Sequence, residues 1–449
     1  MRAMDKRLTT SQFTAKQIMS LFVPMLLDQF SVYAIDILSA AMVSASSQEA
    51  ISAMGLVSSL AFMVTALFTA LSAGGSVLAA QAKGRKDFDE IKRACCQTVS
   101  IALLISVAAT ALLAGFADPL VNTLFSDVEP LIKEYGIIYL RLYAASFIPF
   151  AIYAAVINCF RGMGEAKHAL ALTLIINITY LLLSILLINI LDMGIAGCGY
   201  SYIFARIIGG GSAFFMMFVF YKNIKYRISD FFVLKKAMLK KQLTLTLPFA
   251  AEQILFYGGT LLTNTFIAKL ASNYIGAHTI ALSMFNLFLM GGQAVLTMMM
   301  TVCGQCVGAK NYDLAVHYTK QLRKFGRIVL IINAALAFGI MPLLLMLYKA
   351  SAEVTPIIYQ LLIIGAAANI TLYPTGYLTP ACLRSAGDAS FTTIVSLSSV
   401  WVARVFTGYI LTIVCGLGIY GVWVTYFLEY GIRTVCFMLR MRGEKWKKM

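Results

Sequence analysis

Four carboxylates lie inside long apolar stretches of the chain, and they are the side chains whose chemistry is most specific. Asp28 and Asp36 lie in the first stretch, Glu252 in the seventh and Glu429 in the last. An acid at the centre of a membrane helix costs about 2.5 to 3.5 kcal/mol, so such a group should face protein or water. A poorly hydrated carboxylate can exchange a proton for a cationic substrate, or hold a sodium ion when it is ionised. The acids therefore predict ion-coupled binding.

The first apolar stretch carries further polar residues at helical spacing. At about 100° per residue, Asp28, Gln29 and Asp36 share one broad face of a helix, with Tyr33 near it. A single polar face on an apolar helix predicts that the helix lines a cavity. The alternative is that Asp28 and Gln29 only bond a neighbouring helix near the cytoplasmic end, whereas Asp36 lies deeper in the span.

The elements that position these acids are predicted to be membrane-spanning helices. Sixty per cent of the 449 residues are apolar and only 12% are charged, about half the charge of a typical soluble protein. The apolar blocks are about 20 or more residues long, and each can cross a hydrocarbon layer of about 30 Å as a helix. Their apolar runs are continuous rather than alternating, which argues against a β-barrel. We predict an all-α polytopic membrane protein with twelve transmembrane helices.

The basic residues, which give a net charge of +16, lie mainly on one side of the predicted helices. They occupy the N-terminal tail, the even-numbered loops and the C-terminal tail, whereas acids predominate in the odd-numbered loops. The positive-inside rule therefore places both termini in the cytoplasm of a cell inner membrane protein. This pattern makes the bilayer, and not nucleic acid, the expected partner of the charge. The first stretch lacks a signal-peptide cleavage site and is predicted to be retained.

The chain repeats itself with a period of about 224 residues. This shift places Pro24-x-x-x-Asp28-Gln29 on Pro248-x-x-x-Glu252-Gln253 and the loop of Gln81 and Gly84 on that of Gln305 and Gly308. Ordered matches of this kind indicate duplication. The predicted domains are a six-helix lobe at 1–222, a basic cytoplasmic linker at 223–242 and a second six-helix lobe at 243–449. The linker composition suits contact with anionic headgroups or a solvated loop.

Four short motifs, in order along the chain, carry a family resemblance. They are the Pro24 helix with the segment 42–55, the Gln-x-x-Gly loops at 81–84 and 305–308, the Arg161 and Arg384 loops that end in Gly-acid, and the segment 418–423. With them the chain resembles the multidrug and toxic compound extrusion (MATE) transporters over essentially its full length. The resemblance implies two six-helix lobes around a central cleft, which alternate between outward- and inward-facing states while sodium ions or protons run down their gradient.

The resemblance also implies a cation site in the first half, with departures from the family pattern. Asn177 matches the family's asparagine in the fifth helix, but the acid expected four residues later is Leu181, with Tyr180 beside it. The family's first-helix acid falls on Ser39, so that Asp36 lies one turn early. A sodium ion at Asp36 and Asn177 is therefore an incomplete match to the family site.

The second half departs from the family pattern as well. Glu252 and Gln253 repeat the first acid–Gln pair, but the Glu of sodium-coupled members falls on Phe256. The family's tenth-helix Asp is absent, and that region runs from Asn369 to Tyr373 and a following proline. We expect coupling or substrate contact at Asp36 and Glu252, supported by these neighbouring polar residues.

We expect a secondary active antiporter that exports small organic compounds, cationic or amphipathic, in exchange for H⁺ or Na⁺. A flippase for a lipid-linked precursor, or a specific metabolite exporter of the same superfamily, is the alternative. No motif of a hydrolase, P-loop enzyme or dinucleotide enzyme occurs, so neither an enzyme nor a cofactor is expected. We expect a monomer.

The remaining charged residues inside the spans are predicted to be structural. Glu429 and Arg433 are spaced i, i+4 on the last helix, which predicts a local ion pair. Arg404, Arg206 and Arg141 are interpreted as packing or interface residues. The three histidines are interpreted as isolated structural or interfacial residues: His168, His278 and His317.

Overall fold

Every regular element of the described chain is helical. The structure, a computed structural model, describes residues 13–44, 48–124, 129–220, 224, 226–233, 235–267, 269–270, 272–348 and 350–448. Within helices, the side chains of several residues, including Asp36, lie outside the described part.

The described residues of the first half form eight α-helices and two shorter helical segments. The α-helices are α1 Ala15–Ser44, α2 Gln48–Arg85, α3 Phe88–Gly115, α4 Ala117–Leu124, α5 Pro130–Ala145, α6 Phe147–Met163, α7 Ala166–Ser184 and α8 Gly194–Phe220. A π-helical segment, Ile185–Ile190, extends α7, and a 3₁₀ turn, Ile228–Phe232, follows α8. Helices α5 and α6 meet at a bend of 45° and form one broken span.

The second half repeats this order with more interruptions. Its α-helices are α9 Lys236–Ile267, α10 Ser272–Gly308, α11 Tyr312–Leu347, α12 Thr355–Thr371, α13 Tyr373–Gly376, α14 Thr379–Ser385, α15 Ala389–Ser399 and α16 Ile419–Arg442. Two π-helical segments, Val400–Thr407 and Ile410–Val414, extend α15, and a 3₁₀ turn, Lys445–Lys448, follows α16. The break after α12 bends the chain by 51°, because proline at position 374 opens the next short helix.

Length and hydropathy identify eight helices of the described residues as able to cross a membrane, or up to ten if each of the two bent pairs is one span. Two other long helices, α9 and α16, fall outside that set. Both carry charged residues within their apolar stretch: Glu252 in α9, and Glu429 with Arg433 in α16. Charged residues lower the mean hydropathy of a helix, and within a membrane span such side chains face protein or water rather than lipid.

The chain divides into two compact units whose boundaries fall within α1 and α9. The N-terminal unit is Phe30–Ala250, and the C-terminal unit is Met1–Gln29 together with Ala251–Met449. The predicted lobes at 1–222 and 243–449, with a linker at 223–242, stay a prediction.

Backbone geometry reproduces the repeat that the sequence indicates. Lys86 and Lys310, which are 224 residues apart, both have a left-handed backbone, with φ of 59° and 58°. In each half the next residue caps a helix, because the Asp87 side chain accepts from the amide of Glu90 and the Asn311 side chain accepts from that of Leu314. These loops therefore adopt the same strained turn.

The 3₁₀ turn after α8 is held against α3 within the N-terminal unit. Lys92 Nζ lies 2.6 Å from Asp230 Oδ2, and Ser100 Oγ donates to the carbonyl oxygen of Phe231. The Phe231 ring packs 5.3 Å from that of Phe214, whereas Phe232 is 83% exposed. The turn thus combines a polar anchor, a half-buried ring and an outward ring, as at a membrane surface.

Replacing Asp230 by Asn should loosen this turn in a pH-dependent manner. The hydrogen bond from Lys92 lowers the pKa of Asp230, so its contribution is complete above the unfolded value of about 4 and is lost as the pH falls through the lower folded value. We expect faster amide hydrogen exchange across 226–233 in D230N at about pH 6, and convergence with wild type at low pH. The exposed Asp192→Asn is the matched control. Equal rates of amide hydrogen exchange in D230N and wild type at about pH 6 would show that the Lys92–Asp230 contact does not hold the turn.

Candidate binding cavity and buried ion pairs

A cavity of about 380 Å³ lies inside the C-terminal unit, between α9, α10, α13, the π-helical segment after α15 and α16. Aromatic side chains form much of its wall, among them Phe256, Tyr257, Phe285, Tyr426 and Tyr430. Polar side chains converge on the same space: Asn264, His278, Asn286, Gln293 and Arg404. An aromatic wall with a few polar groups is typical of a small-molecule site of this volume.

Among the described residues that line the cavity, Arg404 alone carries a full charge. The residue is 8% exposed. Its guanidinium lies 4.7 Å from the centre of the Tyr426 ring and 5.2 Å from that of Phe256. The aromatic faces stabilise the cation where water is scarce. No acceptor within the described chain takes a hydrogen bond from Arg404 Nε, although this atom is buried.

Behind the cavity wall, one carboxylate is shared by two arginines. Glu429 is fully buried, and its Oε2 lies 2.6 Å from Arg404 while its Oε1 lies 3.0 Å from Arg433. Tyr377 donates to Oε1 at 2.8 Å. The predicted i, i+4 pair of Glu429 and Arg433 is thus confirmed. The second arginine adds a charge, so that the cluster has two cations and one anion.

Arg433 is held on every side by protein groups. Its Nε donates to Ser399 Oγ at 2.9 Å, and its guanidinium lies 4.3 Å from the centre of the Tyr377 ring. It is 3% exposed, and it is not among the residues that line the cavity. Arg433 therefore fixes the carboxylate of Glu429, whereas Arg404 connects that carboxylate to the cavity.

Arg404 lies in a π-helical segment that the first half does not repeat. The segment Ile410–Val414 falls on Ile185–Ile190 at the repeat shift, so this second π segment is shared. The segment Val400–Thr407 falls instead on residues 176–183, which belong to helix α7. A π turn changes the direction of the side chains that follow it. The local backbone change therefore places Arg404 at the cavity in the second half alone.

His278 contributes a neutral imidazole to the cavity wall. Trp423 Nε1 lies 3.2 Å from His278 Nδ1, and an indole nitrogen can only donate. Nδ1 is therefore the acceptor, which assigns the ring proton of His278 to Nε2. This histidine, which the sequence suggested to be isolated, presents one further hydrogen-bond donor.

Two of the predicted site residues lie near this cavity on the broken span. Tyr373 lines the cavity and stacks on Tyr377, with ring centres 4.7 Å apart. Asn369 lies on α12, one turn before, and is 1% exposed. Neither amide atom of its side chain has a hydrogen-bond partner in the described part of the chain.

Glu252 is bound by an arginine from another part of the C-terminal unit. Arg384 Nη2 lies 2.8 and 2.6 Å from the two carboxylate oxygens, and Thr393 Oγ1 lies 3.4 Å from Oε2. Arg384 belongs to the last turn of α14 and Thr393 to α15. Gln253, the next residue in α9, is half-buried. The predicted coupling acid therefore joins α9 to α14 through an ion pair and to α15 through the hydroxyl of Thr393.

Three predicted site residues lie in the N-terminal unit: Tyr33 on α1, and Asn177 and Tyr180 on α7. Asn177 Nδ2 donates to Ser31 Oγ at 2.7 Å, which joins α7 to α1. Tyr180 is buried, with its hydroxyl 3.7 Å from Cys198 Sγ on α8. Tyr33 is half-buried.

Of the two acids of α1, Asp28 lies within the described side chains and Asp36 does not. The side chain of Asp36 lies outside the described residues, so a site at Asp36 and Asn177 stays a prediction. Asp28 belongs to the C-terminal unit and is 2% exposed, and the adjacent Gln29 is half-buried.

A second buried arginine lies in the N-terminal unit. Arg206 is 5% exposed and donates to Ser146 Oγ and to the Tyr143 hydroxyl, both at 2.7 Å. Its guanidinium lies 4.4 Å from the centres of the Tyr143 and Phe150 rings. Among the described carboxylates, none forms an ion pair with it. The predicted packing role fits Arg206, whereas the same interpretation of Arg404 missed its place in the cavity wall.

Comparison with known proteins identifies the family of this chain. The MatE family model matches residues 24–187 and 248–410, which is more than half of the chain. The two matched segments begin 224 residues apart, at the period of the internal repeat. The chain belongs to the MATE family. It is therefore a multi-pass membrane protein of a transporter family rather than of an enzyme family.

Relatives and solved structures cover nearly the whole chain. The chain is 23% identical over 418 residues to a probable multidrug resistance protein NorM of Thermotoga maritima, covering 90% of this chain and 86% of the relative. A MATE structure in complex with MaL6 gives a TM-score of 0.88 at 21% identity and covers 97% of both chains. An outward-facing multidrug resistance MATE family transporter of the MOP superfamily gives 0.87 at 19% identity, covering 95% of both. The predicted all-α class with twelve transmembrane helices is confirmed.

The described part of this MATE chain contains no group of three or more His, Cys, Asp or Glu residues that could hold a metal ion. A sodium ion would act here as a transported coupling ion, which needs only one or two carboxylates with nearby polar oxygens. Both oxygens of Glu252 accept from Arg384, and the carboxylate of Glu429 is enclosed by Arg404, Arg433 and Tyr377. Neither glutamate is therefore a ready sodium ligand in this state.

Replacing Glu429 by Gln should destabilise the C-terminal unit more than replacing Tyr377 by Phe. E429Q leaves two buried guanidinium groups without a carboxylate, a loss of about 3 to 5 kcal/mol. Y377F removes one hydrogen bond to a charged group, about 1.5 to 3 kcal/mol. Thermal unfolding in detergent measures both, with the exposed Glu353→Gln as matched control. If the unfolding temperature of E429Q falls no further than that of E353Q, the carboxylate of Glu429 does not hold the two arginines as proposed.

Proposed function

We propose that this MATE protein is a secondary active antiporter that exports small amphipathic organic compounds in exchange for protons or sodium ions. The observation that carries the proposal is a polar and aromatic cavity among apolar membrane helices, beside carboxylates that arginines of other helices hold. Relatives named as probable multidrug resistance proteins support the same activity. An ion gradient is the proposed energy source, with the chain in the inner membrane and both termini in the cytoplasm.

An ion pair between helices is a suitable coupling element. Glu252 of α9 holds Arg384 of α14 when the carboxylate is ionised. Protonation of Glu252, or capture of a sodium ion by it, would release that arginine and loosen the contact between the helices. A binding event at one side chain is thereby converted into a change of helix packing, which alternating access requires.

The expectation of a cationic substrate rests on carboxylates that lie inside the membrane spans. In the C-terminal unit that reasoning does not carry over, because Glu252 and Glu429 are both paired with arginines. Their negative charge is neutralised before any substrate arrives. The organic-cation preference therefore depends on Asp28 and Asp36. The cavity itself favours a second candidate, a specific metabolite exporter of the same superfamily, because its charged lining residue is Arg404.

Replacing Asp36 by Asn should abolish gradient-driven export without preventing membrane insertion. The amide keeps the shape of the side chain but can neither release a proton nor supply a full negative charge to sodium. Purified protein in liposomes, with an imposed pH or sodium gradient and a fluorescent organic cation as cargo, provides the measurement. The matched control is Asp192→Asn, in an exposed loop. Full transport by D36N would remove Asp36 from the mechanism.

Variants of the Glu252–Arg384 pair separate its role in ion coupling from its contribution to the stability of the fold. E252Q should lower thermal stability, since it leaves Arg384 without its carboxylate in a site where the pair is only 13% and 19% exposed. The double variant E252Q/R384Q restores neutrality, so it should regain most of that stability.

Transport by the same variants then decides the role of Glu252. We expect E252Q/R384Q to be folded but at least about tenfold slower in gradient-driven export, because the exchangeable charge is missing. Wild-type transport by the double variant would show that the pair only stabilises the fold.

A further inference from the structure

We propose that the cavity of the C-terminal unit binds a small aromatic carboxylate, with the Arg404 guanidinium as its charged contact. The inference rests on the proposed transport function, since it specifies the substrate class of one cavity. It departs from the organic cation expected from the first-helix acids. It also gives a ligand-binding role to a residue that the sequence suggested to be structural.

The first step is the charge of the cavity. Of the described residues that line it, none is Asp or Glu, and Arg404 carries the one full charge. Arginine stays protonated in proteins, so this charge is permanent. A cation entering the cavity would meet a fixed positive charge at low dielectric, whereas an anion would be attracted.

The second step is the charge behind the wall. Arg404 and Arg433 share the single carboxylate of Glu429, which leaves a net charge of +1. The other nearby carboxylate, Glu252, is held by Arg384 at 2.6 Å and is balanced. One positive charge of the cluster is therefore uncompensated by the described side chains, and Arg404 is the member that lines the cavity.

The third step is the hydrogen-bonding capacity that Arg404 retains. One nitrogen, Nη2, contacts Glu429, while the buried Nε has no acceptor in the described chain. The guanidinium carries five N–H donors in a planar fork that matches two carboxylate oxygens, and a ligand carboxylate would contact those donors of Arg404 that face the cavity rather than the enclosed Nε. The N–H at His278 Nε2 supplies a further donor on the same wall.

The fourth step is the body of the ligand. The cavity volume of about 380 Å³ lies within the range of small-molecule sites, about 300 to 1,000 Å³. Its aromatic wall includes Phe256, Phe285 and Tyr426. Flat rings pack well against such faces by offset or edge contacts. An aromatic acid therefore matches both the charge of Arg404 and the aromatic wall of the cavity.

The test is calorimetric binding to the purified full-length protein in an uncharged detergent at about pH 7. The probe is 2-naphthoate, compared with the neutral 2-naphthamide and the cationic 2-naphthylmethylammonium, which share its ring system. We expect naphthoate to bind at least about tenfold more tightly than either analogue, as a charge-assisted pair predicts. Inorganic phosphate, tested alone, separates recognition of an aromatic acid from recognition of any anion and should bind weakly.

Three variants assign the binding to Arg404. R404Q should reduce naphthoate affinity to that of naphthamide, and R404K should retain part of the preference because it keeps the charge without the fork. R141Q, at an exposed arginine of the N-terminal unit, should bind as wild type. Leu289 also lines the cavity. If R404Q is poorly folded, L289W, which fills the cavity without changing its charge, should abolish binding of all three naphthyl probes.

The outcomes separate this inference from the antiport proposal. Equal affinity for the three probes, tighter binding of the ammonium or of phosphate, or unchanged naphthoate binding in either R404Q or L289W would overturn it. Because binding is measured without a gradient, loss of ion-driven transport in liposomes would refute the antiport proposal while leaving the site intact. Transport of an organic cation without naphthoate binding would refute the site alone.

Discussion

A charged group within a membrane helix must find its partner in the protein, and that constraint organises the C-terminal unit. Glu429 is completely buried, and its two oxygens are divided between arginines from α16 and from the π-helical segment after α15. Tyr377 adds a hydrogen bond from the chain after the proline break. One carboxylate thus joins three parts of the unit. Removing the carboxylate would leave two buried guanidinium charges that apolar surroundings cannot solvate, so the packing of these segments is fixed by electrostatics as well as by shape.

The two halves retain the duplicated fold but distribute their buried cations differently. At the repeat shift of 224, Arg404 falls on Tyr180 and Arg206 falls on Tyr430. Each half therefore buries an arginine among tyrosines, but on a different helix of the repeat. In the N-terminal unit, Arg206 is held by hydroxyl groups and ring faces, whereas Arg404 shares a carboxylate and lines a cavity. Duplication therefore preserved the scaffold while the sites diverged.

Patterns that are local in the chain could be predicted from the sequence, and contacts between distant segments could not. The helices follow from apolar runs, and the repeat follows from matched motifs that the Lys86 and Lys310 turns reproduce. The Glu429–Arg433 pair follows from a spacing of four residues. Arg384 and Glu252 lie 132 residues apart, so no periodicity connects them. The position of Arg404 depends on a π-helical segment, which changes the helical phase on which sequence reasoning relies.

A transport site must release its cargo as well as bind it, and the position of Glu429 suits this requirement. An organic anion at Arg404 would share the guanidinium with a carboxylate that the protein already supplies, so the internal competitor limits affinity. The membrane potential then favours departure, because an anion leaving a cell with a negative interior gains about 2.3 kcal/mol per 100 mV. A cation would have to move against the same potential and would depend more heavily on ion coupling. The net positive charge of Arg404, Arg433 and Glu429 would thus select an anionic cargo, and the membrane potential would then favour export of that anion.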